Sequence, residues 1–530
     1  MKLWNEIDAL VEAQCRPDGP GCALGVFKHG KAIYLKGYGS KRAGERDPVG
    51  SRTVFNLASV SKQFTAFCVL LLHERGKLSL DDRLRRHMPE FGPRFEAVRI
   101  RHLMHHSSGM PSIPDLRWSD IMAGTWEGGG EAHVRMLARQ AALNFEPGET
   151  YCYSNDGYFL LAEIVRRCSG QSLARFADLN IFKPLGMAGT RFVESVDLWI
   201  SERAQGHRLV KGAQAAVAKT SHCPGDTDLW SCIEDLGRWE RSQCEQSLGG
   251  ADLYRRQTAP GKLRRENPME GGYAAGLGVT RFLGSPMLCH DGGEIGFTST
   301  LVRLPRQGLA LAMLWNREDK PEKVAGLILR KLLNKPAPKP APKPRRLPQE
   351  FRSAAGVYDG QDHPGRLELK AKPRGLSLWA AEYSLLLQHR SGALFWAPIG
   401  NGHWTYRLAR ARGGPWILTQ IHEGKTVQKL RWAGKVSAKI PDLAVLVGRY
   451  LHRESGYRFE LKRKGARLMY VDPHPEWNPG GALKWQAPDR IVTGGGSYAE
   501  IERDRAGKVR ALMVCQPEGR NKQIRCVKLS

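Results

Sequence analysis

The stretch "FNLASVSKQFTAFCVLLLHERGKL", residues 55–78, decides the fold class. It predicts a helix that is apolar on nearly every face and ends near Gly76, yet its first turn carries Ser59 and Lys62. Positions i and i+3 of a helix lie side by side, so the hydroxyl and the ammonium can touch. An amine taken out of water holds its proton less tightly and can serve as a base near neutral pH. The pattern suggests a serine activated by a lysine, and the alternative is a serine helix cap followed by an exposed lysine.

A second polar group stands before another apolar helix, in "YCYSNDGYFLLAEIV", residues 151–165. Tyr153 and Asn155 are predicted in the loop that leads into this helix. Beside Lys62, the Tyr153 phenol could pass protons, and the Asn155 amide could hold Lys62 or a substrate carbonyl. Local sequence alone favours the alternative, an asparagine-capped helix with a packed tyrosine.

A third group lies in "LCHDGGEIGFTSTLV", residues 288–302. His290-x-Gly292 is predicted to open a strand, and "TSTLVRL" and "LALAML" after it to form an antiparallel pair. A strand edge without side chains lets a substrate backbone lie alongside, and the N–H of Gly293 could join that of Ser59 as an oxyanion hole. The same H-x-G pattern occurs in predicted loops at His363 and His422.

The chain is predicted to contain three domains and a linker. Residues 1–333 begin with a hairpin ("CALGVFK", "KAIYLKGY") and end with the helix "VAGLILRKLL". Residues 334–350, "NKPAPKPAPKPRRLPQE", alternate proline and lysine, which favours an extended spacer. Short alternating strands with Gly-rich turns follow, and they predict all-β domains over 351–440 and 441–530.

An internal repeat supports the division of the last part. "GVYDGQDHPGRLELKAKPRGL" from Gly356 matches "GRYLHRESGYRFELKRKGARL" from Gly448 without a gap, at an offset of 92 (448 − 356). The matched pairs are Gly356/Gly448, Tyr358/Tyr450, Arg366/Arg458, Leu369/Leu461 and Leu376/Leu468. Two sibling β-domains of about 90 residues each explain this repeat.

Composition narrows the class of protein. The formal net charge of +28 would suit nucleic acid, but zinc-finger spacings and long basic helices are missing, so we expect a basic surface without a specific nucleic-acid partner. Eleven cysteines without a C-x-x-C pair do not form a disulfide framework or a zinc site. Without a signal-peptide pattern at the start or a long apolar run, we expect a cytoplasmic protein that does not bind membranes.

The ordered trio Ser59-Val60-Ser61-Lys62, Tyr153-Ser154-Asn155 and His290-Asp291-Gly292 resembles the three motifs of the serine penicillin-recognising clan. This clan includes class C β-lactamases, D-Ala-D-Ala carboxypeptidases, family VIII esterases and D-aminopeptidases. The resemblance covers about residues 5–333 and is supported by "LMHHSSGM", "FEPGETYCYSN", "IFKPLGMAGT" and "GYAAGLGV". It implies an α+β catalytic domain, an antiparallel sheet flanked by helices, followed here by two antiparallel β-barrels.

Within the clan the chain is most similar to D-aminopeptidases, which have two barrels after the catalytic domain, a "SVSKQFT" stretch and a histidine in the third motif. The resemblance implies a cytoplasmic enzyme that releases N-terminal D-amino acids from small peptides or amino amides. It makes Ser59 the nucleophile, Lys62 and Tyr153 its proton carriers, and places substrate against Asn155, His290, Gly292 and Gly293. Ser, Lys and Tyr suffice for this chemistry, so we expect no metal and no cofactor, and we keep a homodimer as the expected assembly.

In D-aminopeptidases a long loop of the last barrel enters the active site. The matching region here, "APDRIVTGGGSYAE", is shorter, and "DPHPEWNPGG" (residues 472–481) forms a different loop. We expect the last barrel to influence substrate choice, with Trp477 either covering a substrate side chain or packing within its own barrel. Esterase, β-lactamase and D-Ala-D-Ala carboxypeptidase activities share the same chemistry and stay open, as does a catalytically silent binding protein.

Overall fold

The computed structural model of the protein describes most of the chain. The described residues are 2–112, 130–195, 200–210, 213–217, 224–264, 271–318, 324–336, 347–360, 367–372, 375–380, 383–391, 394–399, 402–410, 414–422, 425–434, 443–453, 455, 457–465, 467–471, 481–487, 490–492, 498–515 and 524–529. They form two compact units, of which the first takes most of residues 1–338 and the second contains the barrels formed after residue 339. Among the described residues, none of the helices combines the length and apolar character needed to span a lipid bilayer.

The helices of the described residues belong to the first unit. They are α1 Lys2–Glu12, α2 Lys62–Glu74, α3 Leu84–His87, α4 Ile100–Met104, α5 Glu131–Ala138, α6 Asn155–Ser169, α7 Leu173–Ala177, α8 Lys183–Leu185, α9 Ile233–Glu245, α10 Ala251–Thr258 and α11 Val324–Leu332. Short 3-10 turns lie at Ala58–Ser61, Pro93–Phe95, Pro305–Gln307, Gln349–Ala354 and Leu443–Leu446, and a π-helical turn at Asp178–Phe182.

The strands of the first unit precede those of the barrels. They are β1 Cys22–Lys28, β2 Lys31–Tyr38, β3 Phe55–Asn56, β4 Arg191–Phe192, β5 Gly206–Val210, β6 Ala213–Val217, β7 Leu229–Ser231, β8 Gly278–Phe282, β9 Ser285–Glu294, β10 Phe297–Leu304 and β11 Leu309–Trp315. The barrel strands are β12 Gly356–Gly360, β13 Leu367–Lys372, β14 Gly375–Ala380, β15 Tyr383–Ser391, β16 Leu394–Ile399, β17 Gly402–Arg410, β18 Trp416–His422, β19 Lys425–Gly434, β20 Gly448–His452, β21 Arg458–Lys464, β22 Arg467–Val471, β23 Gly481–Ala487, β24 Arg490–Val492, β25 Tyr498–Arg503, β26 Val509–Cys515 and β27 Ile524–Lys528.

A six-stranded antiparallel sheet in the order β2-β1-β11-β10-β9-β8 organises the first unit. Side chains alternate between its two faces. One face packs against α1 and α11 in a core that includes Leu24, Leu311 and Ile328. On the other face α9 crosses the sheet so closely that a Cβ at Gly237 would lie 2.8 Å from the Phe27 ring. The predicted α+β sheet flanked by helices is confirmed, as are the first hairpin and the last helix.

The second unit contains two closed antiparallel barrels of eight strands each, β12 to β19 and β20 to β27. The sequence repeat marks equivalent positions in them, because Gly356 pairs with Leu369 as Gly448 pairs with Leu461. In each barrel the repeated tyrosine hydroxyl donates 2.8 Å to the carbonyl oxygen four residues earlier. The predicted barrels are therefore confirmed, whereas the domain boundaries at residues 333, 350 and 440 stay predictions.

The three H-x-G histidines belong to different segments of the chain. His422 is the last residue of β18, and Glu423 and Gly424, which complete its H-x-G pattern, lie outside the described residues, so the loop expected there stays a prediction. His290-x-Gly292 does not open a strand but lies in the second half of β9, because the preceding residues already pair with β8. His363, Trp477 and most of the two loops of the last barrel singled out above lie outside the described residues.

Candidate active site

Ser59 lies in the 3-10 turn Ala58–Ser61, immediately before α2, rather than in a regular first helical turn. Ala58 has a φ of 46°, which an alanine adopts only when its surroundings enforce it. The enforcing contacts are short: the Ala58 N–H donates 2.7 Å to Asn56 Oδ1, and Ser61 Oγ donates 2.5 Å to the Ala58 carbonyl. The turn thus holds the serine in one strained and well-braced conformation.

Lys62 follows on α2, and its side chain is fully buried. Its Nζ donates to Ser59 Oγ at 3.2 Å and to the Asp226 carbonyl at 2.9 Å. It also lies 5.0 Å from the centre of the Tyr153 ring and 5.6 Å from that of Tyr158, within the range of cation–π attraction. Because these contacts aim Nζ at Ser59, the alternative of a capping serine with an exposed lysine is wrong.

The tyrosine motif is fixed at the N-terminus of α6. Ser154 caps this helix, since its Oγ accepts a hydrogen bond from the Gly157 N–H, so the cap is not Asn155. The Ser154 N–H donates 3.1 Å to Nδ1 of the buried His106, whose ring packs 4.3 Å from the Tyr153 ring. A cap on one side and an imidazole on the other therefore orient Tyr153.

His290 on β9 is held in one tautomer. Its Nδ1 lies 2.6 Å from the Asp291 carbonyl, which can only accept, so Nδ1 carries the proton. Its Nε2, 2.8 Å from the Tyr273 hydroxyl, then accepts from that phenol. Burial raises the pKa of Tyr273 well above its ordinary value, which keeps the phenol protonated as a donor. The centres of the His290 and Tyr153 rings are 6.3 Å apart.

Glycine at position 292 is required by the packing of β9 on the turn that carries Ser59. A Cβ there would lie 2.2 Å from Ser299 Oγ and 2.4 Å from the Leu57 carbonyl oxygen. β8 pairs with Ser285–Cys289 and ends there, whereas β10 pairs with β9 as far as Glu294. The β8 pairing therefore stops before His290, and the face of β9 at Gly292 packs on the turn, with Gly293 directly after the residue that touches it.

Asn155 is the first residue of α6, and its side-chain Oδ1 is buried without a hydrogen-bond partner in the described structure. A buried acceptor without a donor costs free energy unless a bound group satisfies it. A substrate N–H would supply that donor. The hydrogen bonds of Lys62 in the described structure go to Ser59 and to the Asp226 carbonyl rather than to Asn155.

The structure assembles Ser59, Lys62 and Tyr153 in one place and brings the β9 residues against the same turn. Sequence reasoning did not single out His106, Tyr273 or Asp226. His106 and Tyr273 lie in the quoted stretches "LMHHSSGM" and "GYAAGLGV", so the resemblance pointed to the segments but not to these side chains. Asp226 contributes a backbone carbonyl, which leaves no mark in the sequence.

Comparison with known proteins extends this picture. The Beta-lactamase family model matches residues 7–335. The chain is 28% identical over 311 residues to penicillin-binding protein 4* of Bacillus subtilis (strain 168), covering 55% of this chain and 67% of that protein. It is 26% identical over 334 residues to the D-aminopeptidase of Gluconobacter oxydans (strain 621H), covering 62% of each. The matches therefore span about two thirds of the length of these curated relatives.

Among solved structures, the octameric penicillin-binding protein homologue from Pyrococcus abyssi superimposes with a TM-score of 0.58 and 24% identity. The superposition covers 81% of this chain and 99% of that one, and at this identity it shows the shared fold. The family model covers well over half of the chain and includes the whole Ser59 site. The chain belongs to the Beta-lactamase family and is a serine hydrolase.

Proposed function

We propose that the chain hydrolyses small amides through an acyl-enzyme on Ser59, and that it releases N-terminal D-amino acids from peptides or amino amides. The observation that carries the proposal is the 3.2 Å contact between Lys62 Nζ and Ser59 Oγ inside a buried site. A hydroxyl is a weak nucleophile until a neighbouring base removes its proton. Lys62 is the base within hydrogen-bond reach.

In the acylation step, Lys62 in its amine form accepts the Ser59 proton while Oγ bonds to the substrate carbonyl carbon. The carbon–nitrogen bond then breaks, and the leaving amine takes a proton that Lys62 returns by way of Tyr153. Water then takes the place of the leaving amine and hydrolyses the ester, and Lys62 and Tyr153 again carry the protons. The centre of the Tyr153 ring lies 5.0 Å from Lys62 Nζ, and this proximity supports a role for the phenol in the proton transfer.

The developing oxyanion would be held by the N–H groups of Ser59 and Gly293. The close packing of Gly292 on the carbonyl of Leu57 and on Ala58 supports this role, since it brings the two backbones together. Asn155 would accept an N–H of the substrate at its unpartnered Oδ1. His290 and Gly292 would line the strand beside which the substrate lies.

The D-aminopeptidase relative supports the amino-amide substrate. A second candidate is D-Ala-D-Ala carboxypeptidase or penicillin-binding activity, favoured by the similarity to penicillin-binding protein 4*. Esterase and β-lactamase activities need the same acyl-enzyme and differ in the leaving group. A cytoplasmic location, a homodimer and the absence of a cofactor stay predictions.

A substrate panel tests the proposal. It would contain D- and L-amino amides, N-blocked peptides, an acyl-D-Ala-D-Ala peptide, short esters and a cephalosporin. We expect the highest kcat/KM for free D-amino amides, with labelling of Ser59 by a fluorophosphonate probe. Labelling with preference for blocked or ester substrates would overturn the substrate class, and absence of labelling would overturn the acyl-enzyme itself.

A further inference from the structure

A second cluster of reactive side chains lies in the first unit, outside the Ser59 site. Cys168 Sγ is 3.3 Å from Nδ1 of His87, and Nε2 of the same imidazole is 2.9 Å from Asp82 Oδ2. Cys168 lies near the end of α6, whose first residue is Asn155. Thirteen residues of helix separate the two by about 20 Å, so the cluster is distinct from the hydrolase site.

The protons in this cluster can be assigned from its geometry. Other donors to Asp82 hold it as a carboxylate: the Ser79 N–H at 2.8 Å and Arg86 at 2.9 Å. Burial alone would raise the pKa of Asp82, but the hydrogen bonds from Ser79 and His87 hold it below its ordinary value. A carboxylate only accepts, so His87 Nε2 carries the proton and Nδ1 is the acceptor that faces the thiol.

The imidazole is also anchored at its backbone. Arg167, the neighbour of Cys168 on α6, donates 3.0 Å to the His87 carbonyl. His87 and Asp82 are nearly buried, with 11% and 8% of their side chains exposed, whereas Cys168 is half-buried. The base is therefore fixed and shielded, whereas Cys168 keeps part of its surface exposed.

We propose that Cys168, His87 and Asp82 form a second nucleophilic site at which Cys168 is modified by small disulfides. His87 Nδ1 accepts the thiol proton, and the Cys168 thiolate attacks one sulfur of the disulfide. A new S–S bond forms, the disulfide's own S–S bond breaks, and the leaving thiolate takes the proton from the imidazolium. Asp82 stabilises the imidazolium, as an acidic partner does for histidine in hydrolase triads.

Proton transfer to His87 matters because the surroundings of the thiol disfavour its ionisation. Burial raises the pKa of Cys168, and the charge of Asp82 adds to that effect. A preformed thiolate is therefore disfavoured, and reaction depends on transfer of the proton to His87.

Cys244 provides a matched control within the same chain. Cys244 is exposed as a residue, yet partial burial also raises the pKa of its thiol. If access alone decided the rate, Cys244 would react faster than Cys168. If the His87–Asp82 pair activates the thiol, Cys168 reacts faster although it is less exposed.

The experiment treats the full-length protein with 2-hydroxyethyl disulfide and follows each cysteine by mass spectrometry over time. We expect Cys168 to be modified faster than Cys244 in the wild-type protein and equally fast in the Ser59→Ala variant. His87→Gln should slow Cys168 about 100-fold, the lower end of what a positioned base contributes, and leave Cys244 unchanged. Asp82→Asn should slow it as well, by removing the carboxylate that sets the tautomer.

Two results would overturn the site: a wild-type Cys168 that reacts no faster than Cys244, or a folded His87→Gln protein with an unchanged Cys168 rate. The first comparison uses only the wild-type protein, so it stands even if a variant fails to fold. Hydrolysis by Ser59 plays no part in the readout, so the outcome is independent of the proposed function.

Discussion

Replacement of Gly292 by alanine tests whether the close contact between β9 and the turn Ala58–Ser61 positions Ser59. The new Cβ would lie 2.4 Å from the Leu57 carbonyl oxygen and 3.0 Å from the Ala58 Cβ. An ordinary C···O contact is about 3.3 Å, so the turn and the strand must separate by about 0.9 Å. Both contacted residues directly precede Ser59.

Rotation of Ser299 does not relieve the strain. Its Oγ, 2.2 Å from the new Cβ, donates 2.6 Å to the same Leu57 carbonyl, so turning it away loses a bond that braces the turn. β9 cannot shift alone either, because Gly292 is paired with Ser299 in the ladder to β10. A displacement of about 1 Å in a catalytic group costs about 100-fold in rate, which corresponds to about 2.7 kcal/mol of transition-state stabilisation.

The assay measures kcat/KM on the best substrate of the panel, the rate of fluorophosphonate labelling and the melting temperature. We expect Gly292→Ala to lose about 100-fold in both rates, with a loss of stability of about 1–3 kcal/mol from overpacking. Gly92→Ala is the control, since Gly92 has a φ of −70° and open space where its Cβ would be. If Gly292→Ala matched Gly92→Ala in labelling and turnover, the inferred contact would not position the nucleophile.

The other predictions concern single residues of the first unit. Ser59→Ala should abolish turnover of every panel substrate by several orders of magnitude while the melting temperature stays near wild type; near-normal turnover would refute the nucleophile. Lys62→Arg should prevent probe labelling, because a guanidinium does not give up its proton near neutrality, and normal labelling kinetics would exclude Lys62 as the base. His106 has a φ of 54°, which both asparagine and glycine adopt readily, but only asparagine keeps an acceptor near the Nδ1 position. We therefore expect His106→Asn to retain a much higher kcat than His106→Gly. Equal kcat values in the two variants would exclude a role of His106 in orienting the tyrosine motif. Glu240→Gln should destabilise the fold by about 3–5 kcal/mol in chemical denaturation, because it leaves the buried Arg303 guanidinium without its carboxylate; an unchanged unfolding midpoint would contradict this.

The features that the sequence predicted correctly are those set by short spacings. Ser59 and Lys62 meet because three residues of helical chain bring them to one face, and their contact was predicted from that spacing. The hairpin of β1 and β2 and the two barrels follow from strand alternation and from a repeat without gaps. The error was local as well: the strand that contains His290-x-Gly292 begins at Ser285, earlier than predicted, because the preceding residues already pair with β8.

Only the tertiary structure determined which distant groups surround these motifs. Lys62 donates to a carbonyl 164 residues away, Ser299 donates to the Leu57 carbonyl across 242 residues, and Cys168 contacts His87 across 81 residues. No periodicity relates such positions, because their contact depends on how helices and strands pack rather than on the rise of any one element. The sequence by itself therefore determined the contact between Ser59 and Lys62 and the fold classes of the first unit and of the barrels. Packing decided the tautomer of His290, the contact of His106 with Ser154, the need for Gly292 and the cluster at Cys168.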